Sequence, residues 1–564
     1  MANTASTRSA ASKKARARDA AETKNAIETS KPEDVSERVW QAGVVVILLI
    51  AAVLRLYDLD LVPLHHDEGV NGNFLVRLVR EGSYQYDPEN YHGPTLYYFA
   101  AFFPWTMRVL FGKAAQETYG LTTTAIRAVP ALFGVATIGL IFLLRRRLGT
   151  VATLTAALLL AISPGAVYLS RYFIHETLFV FFTLGIVVAG VYFYDERNAF
   201  RLIPAAASAA LLFATKETAM ISAGVLIIAF AVTHVYLRLR RGKTPQPKRR
   251  THREQRTVNR LVAEFGGRQV LGLCVVLAVI VFAGLYVLFY SSFFTNSKGI
   301  SGSFQTFAVW TKTGTVAHVH PIYTYLVWLV SQEGPLLFLG VVGATFVVLK
   351  PKNSFALFSA LWAFGLIAAY SLIPYKTPWL VLNFVVPLAL IAGYALQAIY
   401  ELDKRHLRLV LILLVIPVGV STYQTIDLNF RNYDNEDSYY VYVYAHTTRG
   451  MLDLVNEIDR IAQQENGSLT GITIVSPDYW PLPWYLRNYS RVGYFGRLAQ
   501  STEPIIIANE NQKADIDANF GEVYRQVPSK ESNGSFELRP GVKLLLYERK
   551  KGFAPAQPPA IRQP

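Results

Sequence analysis

The sequence predicts a polytopic α-helical membrane protein of about eleven spans with a small C-terminal external α/β domain. Three observations carry that reading. The chain is 52% hydrophobic and only 17% charged. Its apolar residues gather in long blocks, separated by short polar gaps, from about residue 39 to 426. Beyond Phe430 the blocks give way to short β-rich segments and amphipathic helices.

A run of roughly 18 apolar residues is long enough to cross the hydrocarbon core. Eleven such stretches fit, at about 39–57, 124–144, 150–166, 176–194, 201–215, 218–237, 269–290, 335–349, 354–372, 380–400 and 408–426. Lys and Arg collect in cytoplasmic loops. On that rule the loop 238–268, "RRRLG" (145–149), "KPKN" (350–353) and "DKRHLR" (403–408) lie inside a cytoplasmic (plasma) membrane. The N-terminus is then cytoplasmic and the C-terminal domain external. The first external loop spans 58–123 and includes "PTLYYFAAFFPWTMRVLFG" (94–112), whose aromatics, Pro104 and Arg108 suit a helix lying in the outer interface. Residues 1–38 read as a disordered cytoplasmic tail and 552–564, rich in proline, as a second disordered tail. Between them, 39–430 is the membrane domain and 431–551 the α/β domain. In the latter "GITIVS" (471–476) and "PIIIAN" (504–509) predict buried strands, and "GMLDLVNEIDRIAQQ" (450–464) a helix.

The net charge of +15 follows from cytoplasmic Lys and Arg and does not call for nucleic acid. Cys274 is the single cysteine, so no intrachain disulfide exists.

This threading sends "HHDE" (65–68), "YHGP" (91–94), "SRYFIHE" (170–176), "TKET" (215–218) and "PYKTPW" (374–379) to the outer face. Ionisable residues at membrane depth are costly, and their convergence marks a functional site. Outside a membrane there is no pool of nucleotide sugars, so a group-transfer enzyme there needs a lipid-borne activated substrate. A sugar on a lipid phosphate fits. Its acceptor hydroxyl needs a carboxylate base, and the leaving phosphate needs positive charge. Asp67 and Glu68 are the candidate catalytic carboxylates. Arg171, Lys216 and Lys376 are candidate phosphate ligands, joined at the substrate site by His66, His92, Glu176, Glu217 and Tyr375.

Plainer readings stand beside these. Asp67 is also placed to cap the helix that follows. Arg171 at a span end has the position of a snorkelling residue, and Lys216–Glu217 that of a structural ion pair. His65, His66 and His92, with Glu68, have the donor types for a divalent metal, but no spacing here matches an established zinc motif. In the α/β domain, Asp478, Trp480 and Trp484 suit either acceptor recognition or a hydrophobic plug docking onto the membrane part. The polar stretch 291–334, with Lys298, Lys312, His318 and His320, has the length of a lid.

The acidic pair after the first span, then "GPTLYY", then "AIRAVPALFGVATIGLIFLLRRRLG" (125–149) resembles the protein O-mannosyltransferases and lipid A aminoarabinose transferases, family 39 type. These are GT-C glycosyltransferases that use polyprenyl-phosphate sugars. "HHDEGVNGNF", "YQYDPENYHGPTLYYF", "IPYKTPWL" and "PDYWPLPWYLRNY" resemble a prokaryotic subgroup named as flippase-activity-associated, over nearly the whole chain outside the N-tail and 238–268. The resemblance implies that Asp67 matches the catalytic aspartate. It also implies a polyprenyl-phosphate sugar donor and contact with membrane lipids. Where aminoarabinose transferases carry Glu-Lys before a proline, this chain has His92-Gly93-Pro94, so the phosphate falls to His92, Lys216, Lys376 or Arg171. The rival function is a non-catalytic partner of a lipid-linked oligosaccharide flippase.

Overall fold

The computed structural model describes residues 35–90, 92–240, 262–316, 318–402, 406–435, 439–529 and 534–553. Most of the expected tails, 1–38 and 552–564, and of the basic loop 238–268 lie outside these residues. The chain divides into the units Met1–Val46 and Ile47–Pro564. In the first, residues 37–46 are helical and expose Val39, Val45 and Val46. The contacts described below lie in the second.

Among the described residues eight helices are long and apolar enough to cross a membrane. They are Glu37–Leu56, Thr123–Phe142, Glu176–Glu196, Ala219–Arg240, Gly267–Tyr290, Ser354–Leu372, Pro378–Leu402 and Leu407–Phe430. Two bent pairs bring the number to ten: Thr150–Ala161 with Pro164–Ser170, bent by 59°, and Thr324–Gln332 with Gly334–Leu349, bent by 109°. The eleventh expected span corresponds to the shorter apolar helix Ala199–Phe213.

The bends have local causes. Ser163 caps the helix that starts at Pro164, accepting the Ala166 N–H at 3.2 Å. Proline is favoured at the first helical position and cannot extend the preceding helix. The Gly334 helix likewise has a proline in its first turn. The segment 291–334 is correspondingly not an open loop: it folds into the helices Lys298–Val316 and Thr324–Gln332. The stretch 94–112 forms the helix Thr95–Phe111, buried through its first half and exposing Val109, Leu110 and Phe111 at its end.

Burial separates the spans by position. Gly267–Tyr290 exposes Leu273, Val275, Val276, Val279 and Ile280, an apolar surface suited to lipid. Pro378–Leu402 is almost wholly buried and packs between Thr150–Ala161 and Gly334–Leu349. Glycine permits that closeness. A Cβ on Gly393 would stand 2.2 Å from the Ala152 carbonyl oxygen. Small residues bring helix backbones together where the solvent is lipid.

Two buried charges tie the broken spans. The Arg55 guanidinium donates to the carbonyls of Leu160 (3.0 Å) and Ala161 (2.9 Å), at the C-terminus of the first broken half. These are groups the helix itself leaves unpaired. Glu333 Oε1 accepts from Ser163 Oγ at 2.8 Å, the Gly165 N–H at 3.0 Å and Tyr442 Oη at 3.4 Å. One carboxylate thus joins the starts of both second halves.

The C-terminal part is a six-stranded sheet of order β2–β1–β3–β6–β4, with β5 paired to β6. The strands are β1 Ile472–Ile474, β2 Val492–Tyr494, β3 Ile505–Asn509, β4 Tyr524–Val527, β5 Phe536–Arg539 and β6 Val542–Arg549. β1 lies parallel to β2 and β3, and β6 runs antiparallel to β3, β4 and β5. The helix Gly450–Gln464 packs Leu454, Ile458 and Ile461 on the face formed by Ile472, Ile505 and Leu546.

Glu333→Ala removes the acceptor from Ser163 and Gly165 at the start of the Pro164 helix and from Tyr442. The expected loss is about 1–3 kcal/mol, read as a fall in Tm of the purified protein in lipid. An unchanged Tm would show that the bends hold without this carboxylate.

Candidate active site

The helix His66–Glu81 begins with a reciprocal cap. His65 has extended backbone, and its Nδ1 accepts the Asp67 N–H at 3.2 Å. Glu68 Oε2 accepts the His65 N–H at 2.9 Å. The cap is therefore His65 and not Asp67, which occupies the second helical position with its side chain 45% exposed.

Glu68 points the other way. It is fully buried against Arg127, which donates to both carboxylate oxygens at 2.7 and 2.6 Å. Its remaining positions accept the N–H groups of Phe173 (2.7 Å) and His65 (2.9 Å). The other Arg127 N–H groups bond the carbonyls of Leu59, Val62 and Pro63. With all four acceptor sites filled, Glu68 has nothing left for a substrate. The sequence reading of Glu68 as a catalytic group is corrected to a positioning one. About 100° separates successive helix residues, so anchoring Glu68 inward turns Asp67 to a different side of the helix.

On that side lies a cavity of about 350 Å³. Asp67, His66, His92, Glu176, Lys216, Glu217 and Tyr375 all line it. Residues 92–95 run antiparallel to 214–216: the Gly93 N–H donates to the Thr215 carbonyl at 3.0 Å, and the Thr95 N–H to that of Ala214 at 3.2 Å. A side chain at Gly93 would collide with the Ala214 carbonyl. This pairing sets His92 Nδ1 3.1 Å from Glu217 Oε2, while Lys216 Nζ donates to Glu176 Oε1.

Charge in the wall is thus paired. Burial opposes the charge of Lys216, but Glu176 and Glu217 outweigh it and raise its pKa. Burial likewise opposes ionisation of Glu217, while His92 and Lys216 prevail and lower its pKa. Burial lowers that of His66, which leaves it neutral at neutral pH.

Other expected residues sit elsewhere. Arg171 does not line the cavity. It donates to the carbonyls of Leu54, Tyr57 and Asp58 and lies 4.8 Å over the Phe430 ring, closing the end of the first span. Lys376, 1% exposed, gives its ammonium to the carbonyls of Ile373 (2.6 Å) and His320 (3.2 Å). Both cations are spent on backbone. His65 is engaged at both ring nitrogens, with Nε2 3.1 Å from the Tyr444 carbonyl. With Glu68 on Arg127 and His92 on Glu217, the expected metal set does not converge. Among the described residues no three His, Cys, Asp or Glu side chains form a metal-sized cluster.

From the C-terminal part, Trp484 is buried and packs where Gly72 leaves room, and Pro481 sits against Gly69. The Trp484 part of the acceptor reading yields to the plug. Asp478 pairs with Arg539 at 2.5 Å. Trp480 lies beside the cavity, its ring 6.1 Å from that of His66. His318, named in the expected lid stretch, also lines the cavity, as do Trp310, Trp379 and His175, which were not singled out as site residues by sequence. Arg127 was missed as well, although it is the one charge in the span Thr123–Phe142.

Over residues 100–247 the chain matches the family described as dolichyl-phosphate-mannose-protein mannosyltransferase. Its fold is similar to ArnT from Cupriavidus metallidurans bound to undecaprenyl phosphate, with TM-score 0.62 and 14% identity over 93% of this chain and 100% of that one. Apo ArnT from the same organism gives TM-score 0.57 and 13% identity over 90% and 98%. No curated protein matches the sequence. These likenesses concern the fold, which the chain shares with the ArnT structures.

Arg127→Gln leaves the Glu68 carboxylate buried and unpaired, a cost of about 3–5 kcal/mol. The expected outcome is a large fall in Tm, partly recovered by adding Glu68→Gln. Wild-type stability in the single variant would contradict the anchoring role.

Proposed function

We propose that the protein transfers a sugar from a polyprenyl-phosphate carrier to an acceptor hydroxyl at the outer face of the cytoplasmic membrane. The observation that carries this reading is one cavity holding a partly exposed carboxylate, Asp67, together with the lysine Lys216. In the reaction, Asp67 takes the acceptor proton as the acceptor oxygen bonds the anomeric carbon. The bond from that carbon to the phosphate oxygen breaks, and polyprenyl phosphate leaves as an anion. Lys216 turns from Glu176 to that phosphate and stabilises the growing charge. The bound undecaprenyl phosphate of the ArnT structure supports a lipid phosphate as ligand for this fold.

The first test is turnover of labelled polyprenyl-phosphate sugars by the purified protein in lipid. Asp67→Asn should lose at least about 100-fold in rate while binding donor as wild type does. If both proteins bind donor and neither consumes it, across several sugars and acceptors, the protein is a binding partner such as the flippase-associated reading describes.

A second prediction isolates the phosphate ligand. Removing both charges in Glu176→Gln/Lys216→Gln keeps the wall neutral and preserves the fold, yet should weaken binding of bare polyprenyl phosphate about tenfold or more. Equal affinity in wild type and double variant would remove Lys216 from the phosphate site.

A further inference from the structure

One buried group in the cavity wall has an unused hydrogen-bonding position. His175 is 1% exposed and lines the cavity with Lys216, His92 and Tyr97. Its Nε2 lies 3.0 Å from the Gly93 carbonyl oxygen. A carbonyl only accepts, so Nε2 carries the proton, and Nδ1 of the neutral ring is a lone pair. Burial, then His92 and Lys216, hold the ring's pKa well below the ordinary histidine value, which keeps it neutral. Among the described residues Nδ1 has no partner.

The neighbouring donors are committed. Tyr97 Oη donates to Asn71 Oδ1 at 2.9 Å, Lys216 is held by Glu176, and His92 Nδ1 faces Glu217. A buried acceptor without a donor is costly, and sites built this way discriminate strongly for a ligand that supplies the missing group. A phosphate or carboxylate oxygen cannot supply it, because two lone pairs repel. A hydroxyl can.

We infer that His175 is a specificity-determining residue whose Nδ1 accepts a hydrogen bond from a hydroxyl of the lipid-borne sugar. This rests on the transferase reading above, but it concerns recognition of the sugar and not the chemical step. The consequence is discrimination by a hydroxyl pattern: a donor lacking that hydroxyl leaves the lone pair unmet.

The test compares the binding of three polyprenyl-phosphate hexoses (mannose, glucose and galactose) with that of bare polyprenyl phosphate, using full-length protein in lipid nanodiscs. His175→Phe keeps a flat ring and removes the acceptor. His175→Gln restores an acceptor oxygen. His175→Phe should weaken the best-bound hexose lipid about tenfold, leave bare polyprenyl phosphate unchanged, and be partly rescued by His175→Gln. Among deoxy analogues of that hexose lipid, one should bind wild type and His175→Phe equally. Equal weakening of the sugar-bearing and bare lipids would make His175 structural and overturn the inference, as would no weakening of either. If wild type holds bare polyprenyl phosphate but gains nothing from any hexose, the inference fails while the lipid-phosphate site survives. If wild type binds none of these lipids, the function proposed above fails and the inference falls with it.

Discussion

The site depends on one buried ion pair, Glu68 with Arg127. Burying two charges is expensive, and the cost is offset only when every hydrogen-bonding position is filled. Here each is: five N–H groups of Arg127 and four acceptor positions of Glu68 all have partners. The partners come from the turn 59–63, the start of the helix at 66, the span from Thr123 and the backbone at Phe173. Four separate segments are fixed in one place by a single network. Asp67 inherits that rigidity, since its neighbour cannot rotate without breaking the network. A carboxylate proposed as a base needs such fixed geometry.

The opposite wall solves a different problem. Lys216 sits among Glu176 and Glu217, on a two-stranded contact with His92–Thr95 that is closed to any residue but glycine at 93. The paired charges let a lysine be buried without a ligand, and the same pairing makes exchange possible. Moving Nζ from one oxyanion to another changes little in the local electrostatics. Arg171 and Lys376 lack this property because backbone carbonyls hold them, and a freed carbonyl in an apolar setting has no substitute donor.

How far the sequence could reach follows from these differences. The spans were legible because bilayer thickness sets a length that any apolar block must meet. Their bends were not: Ser163-Pro164 sits inside the block read as one span, and the helix Thr324–Gln332 before Gly334-Pro335 lay in a stretch read as an outer loop. Asp67, Lys216 and Glu217 stood out because ionisable residues between apolar blocks are rare. The same signal singled out Arg171 and Lys376, whose targets are carbonyls, and composition cannot distinguish a carbonyl from a phosphate as partner. Glu68 was misread for a related reason: two adjacent carboxylates look equivalent in a string, while a helix sends them to different sides. Arg127, alone among apolar residues, carried the signal that would have corrected this.

The charge balance of the cavity bears on how the proposed reaction would end. Among the described residues, Asp67, Glu89, Glu176 and Glu217 line it beside one lysine, Lys216, while His66 and His175 stay neutral. A sugar phosphodiester on a lipid carries one negative charge, and the phosphate monoester left after transfer carries more. A strongly cationic pocket would bind that product tightly and slow its release. A pocket whose one lysine must be borrowed from Glu176 holds the product only while the ammonium is displaced. In the proposed reaction, Lys216 returning to Glu176 would leave the carboxylates facing the phosphate and favour its departure. On that proposal, the ion pair that makes the lysine tolerable without a ligand would also help to clear the product.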